Sequence, residues 1–251
     1  MQDSGQSPQP PPPINGSYWH VAGLTVFKAA DNGIYVAGNH NVIENCVTHG
    51  NRDTGLQLGR YASTASSQAD WPSDNGFKLG GEDIAVAHVV TRSVAFANGK
   101  NGFTWNSNPG AIRLSNTLSF DNADGNYRFG DNSTPTQAVF TNNVSFWTLS
   151  STQSDKTVGD DAGGSNCFWS SSGTPASKSA KGLTVSAADF AAPLGKATVT
   201  RATDGTLDFS PFALAPASPL INAGVMPAAP LPFDAAAYYR SMPDLGAVEA
   251  K

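Results

Sequence analysis

Lys78 stands in the middle of Gly76-Phe77-Lys78-Leu79, with an apolar residue on either side. In an extended segment those neighbours point one way and the lysine the other. An amine so placed can hold an anion. It can act as a base only if its surroundings raise the neutral fraction, because an ordinary lysine has a pKa of about 10.4. Arg52, Arg60, Arg113 and Arg128 can each clamp a carboxylate bidentately, or can be plain surface charges. Trp71, Trp105 and Trp147 offer ring faces that could stack on sugars, although the pattern turns Trp105 inward, toward a core. His20, His40, His49 and His88 share no spacing, so no catalytic or metal role is assigned to them. Cys46 and Cys167 each follow an asparagine without metal-type spacing. They read as buried thiols rather than as a disulfide.

The elements that would position these groups repeat. Gly33-Ile34-Tyr35-Val36, Gly55-Leu56-Gln57-Leu58, Gly76-Phe77-Lys78-Leu79, Gly102-Phe103-Thr104-Trp105 and Asn126-Tyr127-Arg128-Phe129 start 22, 21, 26 and 24 residues apart. Each has an apolar–variable–apolar core, so the outer pair faces inward and the middle residue outward. A second set begins at Val47, Val94, Leu118 and Val144, spaced by 47, 24 and 26 residues. The first of those gaps is two periods long, and the stretch from Arg60 to Asp74 that fills it reads as no clear strand. Two interleaved strand sets at one period describe stacked coils with at least two strands per turn. The fold class is therefore all-β, a parallel β-helix solenoid. Its outward file is Tyr35, Gln57, Lys78, Thr104 and Arg128. A propeller needs longer blades and a sandwich lacks the fixed spacing.

Regular coils are expected over about residues 17–150, within a single domain at 15–251. Beyond 150 the repeat fades into loops and an irregular tail, read as covering the C-terminal end of the stack and its open strand edges. Residues 1–14 are proline-rich and expected to be disordered, extended and largely unpaired. They contain no apolar h-region, so the segment is not a signal peptide as it stands. A net charge of −5 and the lack of a basic run argue against duplex nucleic acid as a partner. No apolar run is long enough to span a membrane.

Longer motifs carry a resemblance. Ser17-Tyr18-Trp19-His20-Val21-Ala22-Gly23-Leu24-Thr25-Val26, Asn51-Arg52-Asp53-Thr54-Gly55, Trp71-Pro72-Ser73-Asp74-Asn75, Gly76-Phe77-Lys78-Leu79-Gly80-Gly81-Glu82, Ser107-Asn108-Pro109-Gly110-Ala111-Ile112 and the closing Pro243-Asp244-Leu245-Gly246-Ala247-Val248-Glu249 resemble polysaccharide lyase family nine. The match runs over roughly residues 15–251. It implies a right-handed β-helix that cleaves polygalacturonate by β-elimination with calcium, and it makes Lys78 the base that removes the proton on C5 of the uronate. It also implies a secreted, monomeric protein that acts on an acidic polysaccharide.

The sequence departs from the family in two places. By the resemblance, the chain is expected to lack the family's N-terminal cap and first coils. The coils that carry its calcium aspartates, in Asp-Ala-Asp-Gly-Phe and Asp-Asp-Gly-Trp-Asp, would fall between Asn75 and Gly76 and are missing too. Loss of whole coils is tolerable in a solenoid, where each coil touches only its neighbours. It would bring Gln57 beneath Lys78 and put Asp31 and Asp53 in the coil registers of lost ligands. Asp31 and Asp53, helped by Asp74, could then form a reduced calcium cluster; as corner residues they would need no metal. Arg52, Arg60, Gln57, Arg128 and Tyr35 are the substrate-binding candidates. Two other readings stand beside the lyase: a uronan-binding β-helix that has lost its metal site, and a β-helix hydrolase, which needs two or three gathered carboxylates.

Overall fold

Three residue types dictate the architecture: short β-branched or aromatic pairs, a left-handed corner residue between them, and asparagines that bond from coil to coil. The computed structural model describes residues 14–28, 34–51, 56–58, 75–81, 83–130, 136–228, 231, 233, 238–239 and 241–250. Its strands, numbered in chain order, stack as three parallel sheets. Sheet A holds β1 (Ile14–Asn15), β4 (Ile34–Ala37), β7 (Leu56–Leu58), β8 (Phe77–Lys78), β11 (Asn101–Thr104), β14 (Gly125–Phe129) and β17 (Lys156–Thr157). Sheet B holds β2 (His20–Ala22), β5 (Asn41–Glu44), β9 (His88–Thr91), β12 (Arg113–Ser115), β15 (Val139–Thr141) and β18 (Asp160–Asp161). Sheet C holds β3 (Thr25–Phe27), β6 (Val47–His49), β10 (Val94–Phe96), β13 (Leu118–Phe120) and β16 (Val144–Phe146). The chain winds A to B to C, so each turn has three strands where the sequence pattern had shown two. Ile14 already belongs to a strand, one residue ahead of the boundary read from the sequence.

The bend from sheet B to sheet C is two residues long and begins with a left-handed position. Gly23, Asn45, Arg92, Asn116 and Asn142 occupy it in successive turns, all at positive φ between 46° and 67°. Asparagine tolerates that backbone better than most residues. A second ladder runs up the bend from C to A: Asn51 Nδ2 donates to Asn98 Oδ1 (3.1 Å), and Asn98 Nδ2 donates to Asn122 Oδ1 (2.8 Å). These amides satisfy buried polar groups that a bare turn would strand.

Two cores result. Inside the solenoid, Phe77, Phe103 and Tyr127 stack in a column with centroids 4.6 and 5.3 Å apart. Leu79, Trp105 and Phe129 pack beside them with Ile43, Val90, Leu114 and Phe140 from sheet B. Sheet C reverses the pattern. Its small Ala95 faces the inner core, while Val47, Val94, Leu118, Val144, Phe96, Phe120 and Phe146 join an outer core. The tail completes that outer core with Val185, Phe190, Leu194, Phe212, Leu214, Leu220 and Leu245.

The tail therefore does more than cover one end. An antiparallel sheet of β19 (Phe168–Ser170), β20 (Ala176–Lys178) and β21 (Thr184–Val185) closes the stack beyond β16. Phe168 from this sheet packs against Tyr127 and Phe140. The rest runs back along the outside of sheet C. The hairpin of β22 (Thr200–Arg201) and β23 (Leu207–Asp208) reaches the first described turn, where Arg201 Nη2 donates to the Gly23 carbonyl (2.9 Å). Cys46 and Cys167 are free, buried thiols.

Candidate functional site

Lys78 is held from both ends. Gly76 N donates to Asn101 O (2.8 Å) and Leu79 N donates to Thr104 O (2.9 Å), locking β8 onto β11. Asn108 Nδ2 reaches the Leu79 carbonyl (2.8 Å) and Asn106 Nδ2 the Gly80 carbonyl (2.9 Å). A Cβ on Gly80 would lie 2.2 Å from Asn108 Cβ, and one on Gly76 would lie 2.7 Å from the Gly102 carbonyl oxygen. Both glycines are thus demanded by close packing. Phe77 and Leu79 are fully buried on the inner side. The lysine between them takes the outer side of sheet A, yet its residue is only 8% exposed.

The pairing sets its neighbours. Tyr35 pairs with Gln57, Gln57 with Lys78, Lys78 with Thr104, and Thr104 with Arg128. These five residues form one file across sheet A, at the usual strand spacing of about 4.8 Å. The register adds a sixth member that the sequence pattern missed, since Arg128 pairs with Lys156. Lys156 lacks the apolar brackets that mark the other rows. The preceding position is Asp155, a half-buried carboxylate that accepts from Asn126 N (3.1 Å), Tyr127 N (2.9 Å) and Trp169 N (2.8 Å). Burial pushes Asp155 up to about 6, against the pull of those hydrogen bonds.

Arg128 is exposed and Lys156 half-buried. Arg113 lies in β12 on sheet B, away from the file. Trp105 faces inward as expected, and Trp147 lies just past β16. Asp31, Arg52, Asp53, Arg60, Trp71 and Asp74 lie outside the described residues. Among the described residues no three or more His, Cys, Asp or Glu side chains gather as a metal site. No described helix is long and apolar enough to cross a membrane.

Histidines unassigned by spacing have structural places. His49 stacks between Phe27 and Phe96, with centroids 5.3 and 4.9 Å apart. His20 Nε2 lies 2.8 Å from Glu44 Oε2, and Glu44 also pairs with Arg92.

Comparison with known proteins completes the picture. A family model described as the Pel9A-like, right handed beta helix region matches residues 63–143. Pectate lyase L of Paenibacillus polymyxa (strain SC2) is 35% identical over 298 residues, covering 84% of this chain and 64% of the relative. Pectate lyase L of Dickeya dadantii (strain 3937) is 30% identical over 311 residues, covering 94% and 68%. The crystal structure of pectate lyase Pel9A superposes with a TM-score of 0.56 at 28% identity, over 95% of this chain and 72% of that one. The chain thus spans about two thirds of the length of these relatives. Both sequence alignments run longer than the 251 residues of the chain, so the relatives carry internal segments it lacks.

Proposed function

Because the chain belongs to polysaccharide lyase family nine, the Pel9A-like right-handed β-helix pectate lyases, we propose that it cleaves polygalacturonate or a related uronan by β-elimination, with Lys78 as the base. The observation that carries this is the placement of Lys78. It stands in a fixed outward file, on a strand locked by Gly76 and Gly80, with its residue largely withdrawn from water. The locked strand fixes where the amine stands, and geometry is the first thing asked of a base. The neutral amine takes the C5 proton, and the C5–H electron pair becomes the C4–C5 double bond. The C4–O4 bond then breaks, and the departing oxygen is protonated by solvent. Arg128 offers a cation two strands from Lys78, where it can hold the carboxylate of a neighbouring sugar. Tyr35, Gln57, Arg52 and Arg60 are the further contacts this reading assigns to substrate. A polymer of this kind is met outside the cell, which is where a single copy of the chain would work.

The test measures ultraviolet absorbance of the unsaturated product against reducing ends, on polygalacturonate with calcium. Wild type should give both signals. Lys78→Ala should lose absorbance by at least about a hundredfold, the usual contribution of a positioned base, with an unchanged melting curve. Reducing ends without absorbance would mean hydrolysis. Retention on a pectate gel without either signal would mean a binder.

Calcium enters this proposal as an ion that Asp31, Asp53 and Asp74 would hold. Each precedes by three residues one of Ile34, Leu56 and Phe77, which pair in one row of sheet A. Three carboxylates are few for an ion that takes six to eight oxygens, so binding should be weak. Calorimetric titration should show saturable heat at millimolar calcium, reduced by Asp53→Asn. A flat titration removes the metal from the proposal.

A further inference from the structure

We propose that Lys156 extends the candidate site, and that Arg128 and Lys156 form a cationic flank beside Lys78, along the solenoid axis, for successive carboxylates of one polyuronate strand. The inference rests on the lyase reading for its ligand and on strand register for its geometry. Arg128 and Lys156 are paired residues on adjacent parallel strands. Like charges placed directly opposite destabilise a sheet. Among the described residues the only ion pairs are those of Glu44 with His20 and Arg92, so no carboxylate there relieves this one. Asp155, next in sequence, is turned inward and used up by three backbone N–H groups. The chain as a whole carries a net charge of −5, so its general composition does not account for a row of cations on this face.

A polyuronate answers this arrangement. It presents one carboxylate per sugar, and the solenoid presents one outward side chain per strand. A strand of substrate lying across sheet A would meet Lys78, then the neutral Thr104, then Arg128 and Lys156. Its reacting sugar would sit at Lys78 and its charged flank toward β17. The cationic pair therefore selects for uninterrupted acid groups on that flank, and methyl esterification there removes the partner of Arg128 and Lys156. A lysine on the outermost strand of a sheet also guards against edge pairing, but that role predicts no dependence on the substrate's charge.

The experiment compares wild type, Lys156→Gln, Lys156→Arg and the double variant Arg128→Gln/Lys156→Gln. Initial rates are measured on polygalacturonate and on partly methyl-esterified pectin, at low and high salt. Removing the Lys156 charge should raise KM on polygalacturonate by roughly two- to fivefold, and removing both charges by roughly tenfold, the change falling mainly on KM. Lys156→Arg should restore KM. The difference should shrink in high salt and on esterified pectin. An active enzyme whose KM ignores Lys156→Gln overturns the cationic flank and leaves the lyase reading intact. If wild type forms no unsaturated product, retention in pectate-containing gels replaces KM. Weaker retention of Lys156→Gln then supports the cationic flank although the lyase reading has failed, and equal or absent retention overturns it.

Discussion

His88 shows what enclosure does to a titratable side chain that the stack offers nothing to bind. It is 1% exposed, and neither ring nitrogen has a hydrogen-bond partner among the described residues. Burial first, and the nearby His40 second, lower its pKa to about 4. The folded protein therefore holds fewer protons than the unfolded chain between about pH 4 and the usual histidine value, and stability falls as the pH drops through that window. The slope is about 1.4 kcal/mol per unit for this one group. His88→Leu should abolish it: between pH 7 and pH 5, denaturant titration should show wild type losing about 2 kcal/mol more than the variant. Parallel losses would show that another group carries the acid sensitivity. At this scale much of the proposed site was legible. Apolar brackets turn Lys78 and Arg128 outward wherever they fall in the chain. Lys156 was not legible, because its inward neighbour is a carboxylate whose compensation comes from distant backbone amides.

Between elements, Arg92 makes one of several contacts that fasten the tail to the bend between sheets B and C. Arg92 replaces the small or amide residue found at that bend in the other turns, and its buried guanidinium pairs with Glu44. It also lies 3.8 Å from the Phe233 ring centroid and 4.3 Å from that of Tyr238. Removing one partner of a buried pair leaves the other charge uncompensated, at a cost of about 3–5 kcal/mol. Arg92→Ala should lower the thermal midpoint and expose the tail to limited proteolysis ahead of the coils. Cleavage at the wild-type rate would mean that the outer core and the hydrogen bonds at Gly23, Asn116 and Asn142 hold the tail without Arg92. Sheets A and C were visible in the sequence through their spacing. Sheet B was not, because only two residues separate β5 from β6, β9 from β10 and β12 from β13, so each pair reads as one strand. The path of the tail was equally hidden. Phe212 packs on Phe96 and Phe120, and no local pattern announces a contact across so much chain.

Over the whole molecule, the sheets are unequal. Among the described residues sheet A has seven strands, sheet B six and sheet C five. One strand, β7, lies between β4 and β8 in sheet A, whereas β5 pairs directly with β9 and β6 directly with β10. The doubled gap between Val47 and Val94 marked this place in the sequence. It could not show that sheets B and C close across the gap while sheet A keeps a strand inside it. The extra strand makes the stack taller on the lysine side than on the other two, like a wedge-shaped voussoir set into a straight column. At β7 sheet A advances by one strand spacing, about 4.8 Å, that sheets B and C do not share. The odd strand is also a natural splice point. A segment cloned in between Leu58 and Phe77 that supplied one strand to sheet B and one to sheet C would complete the turn that β7 begins and level the column.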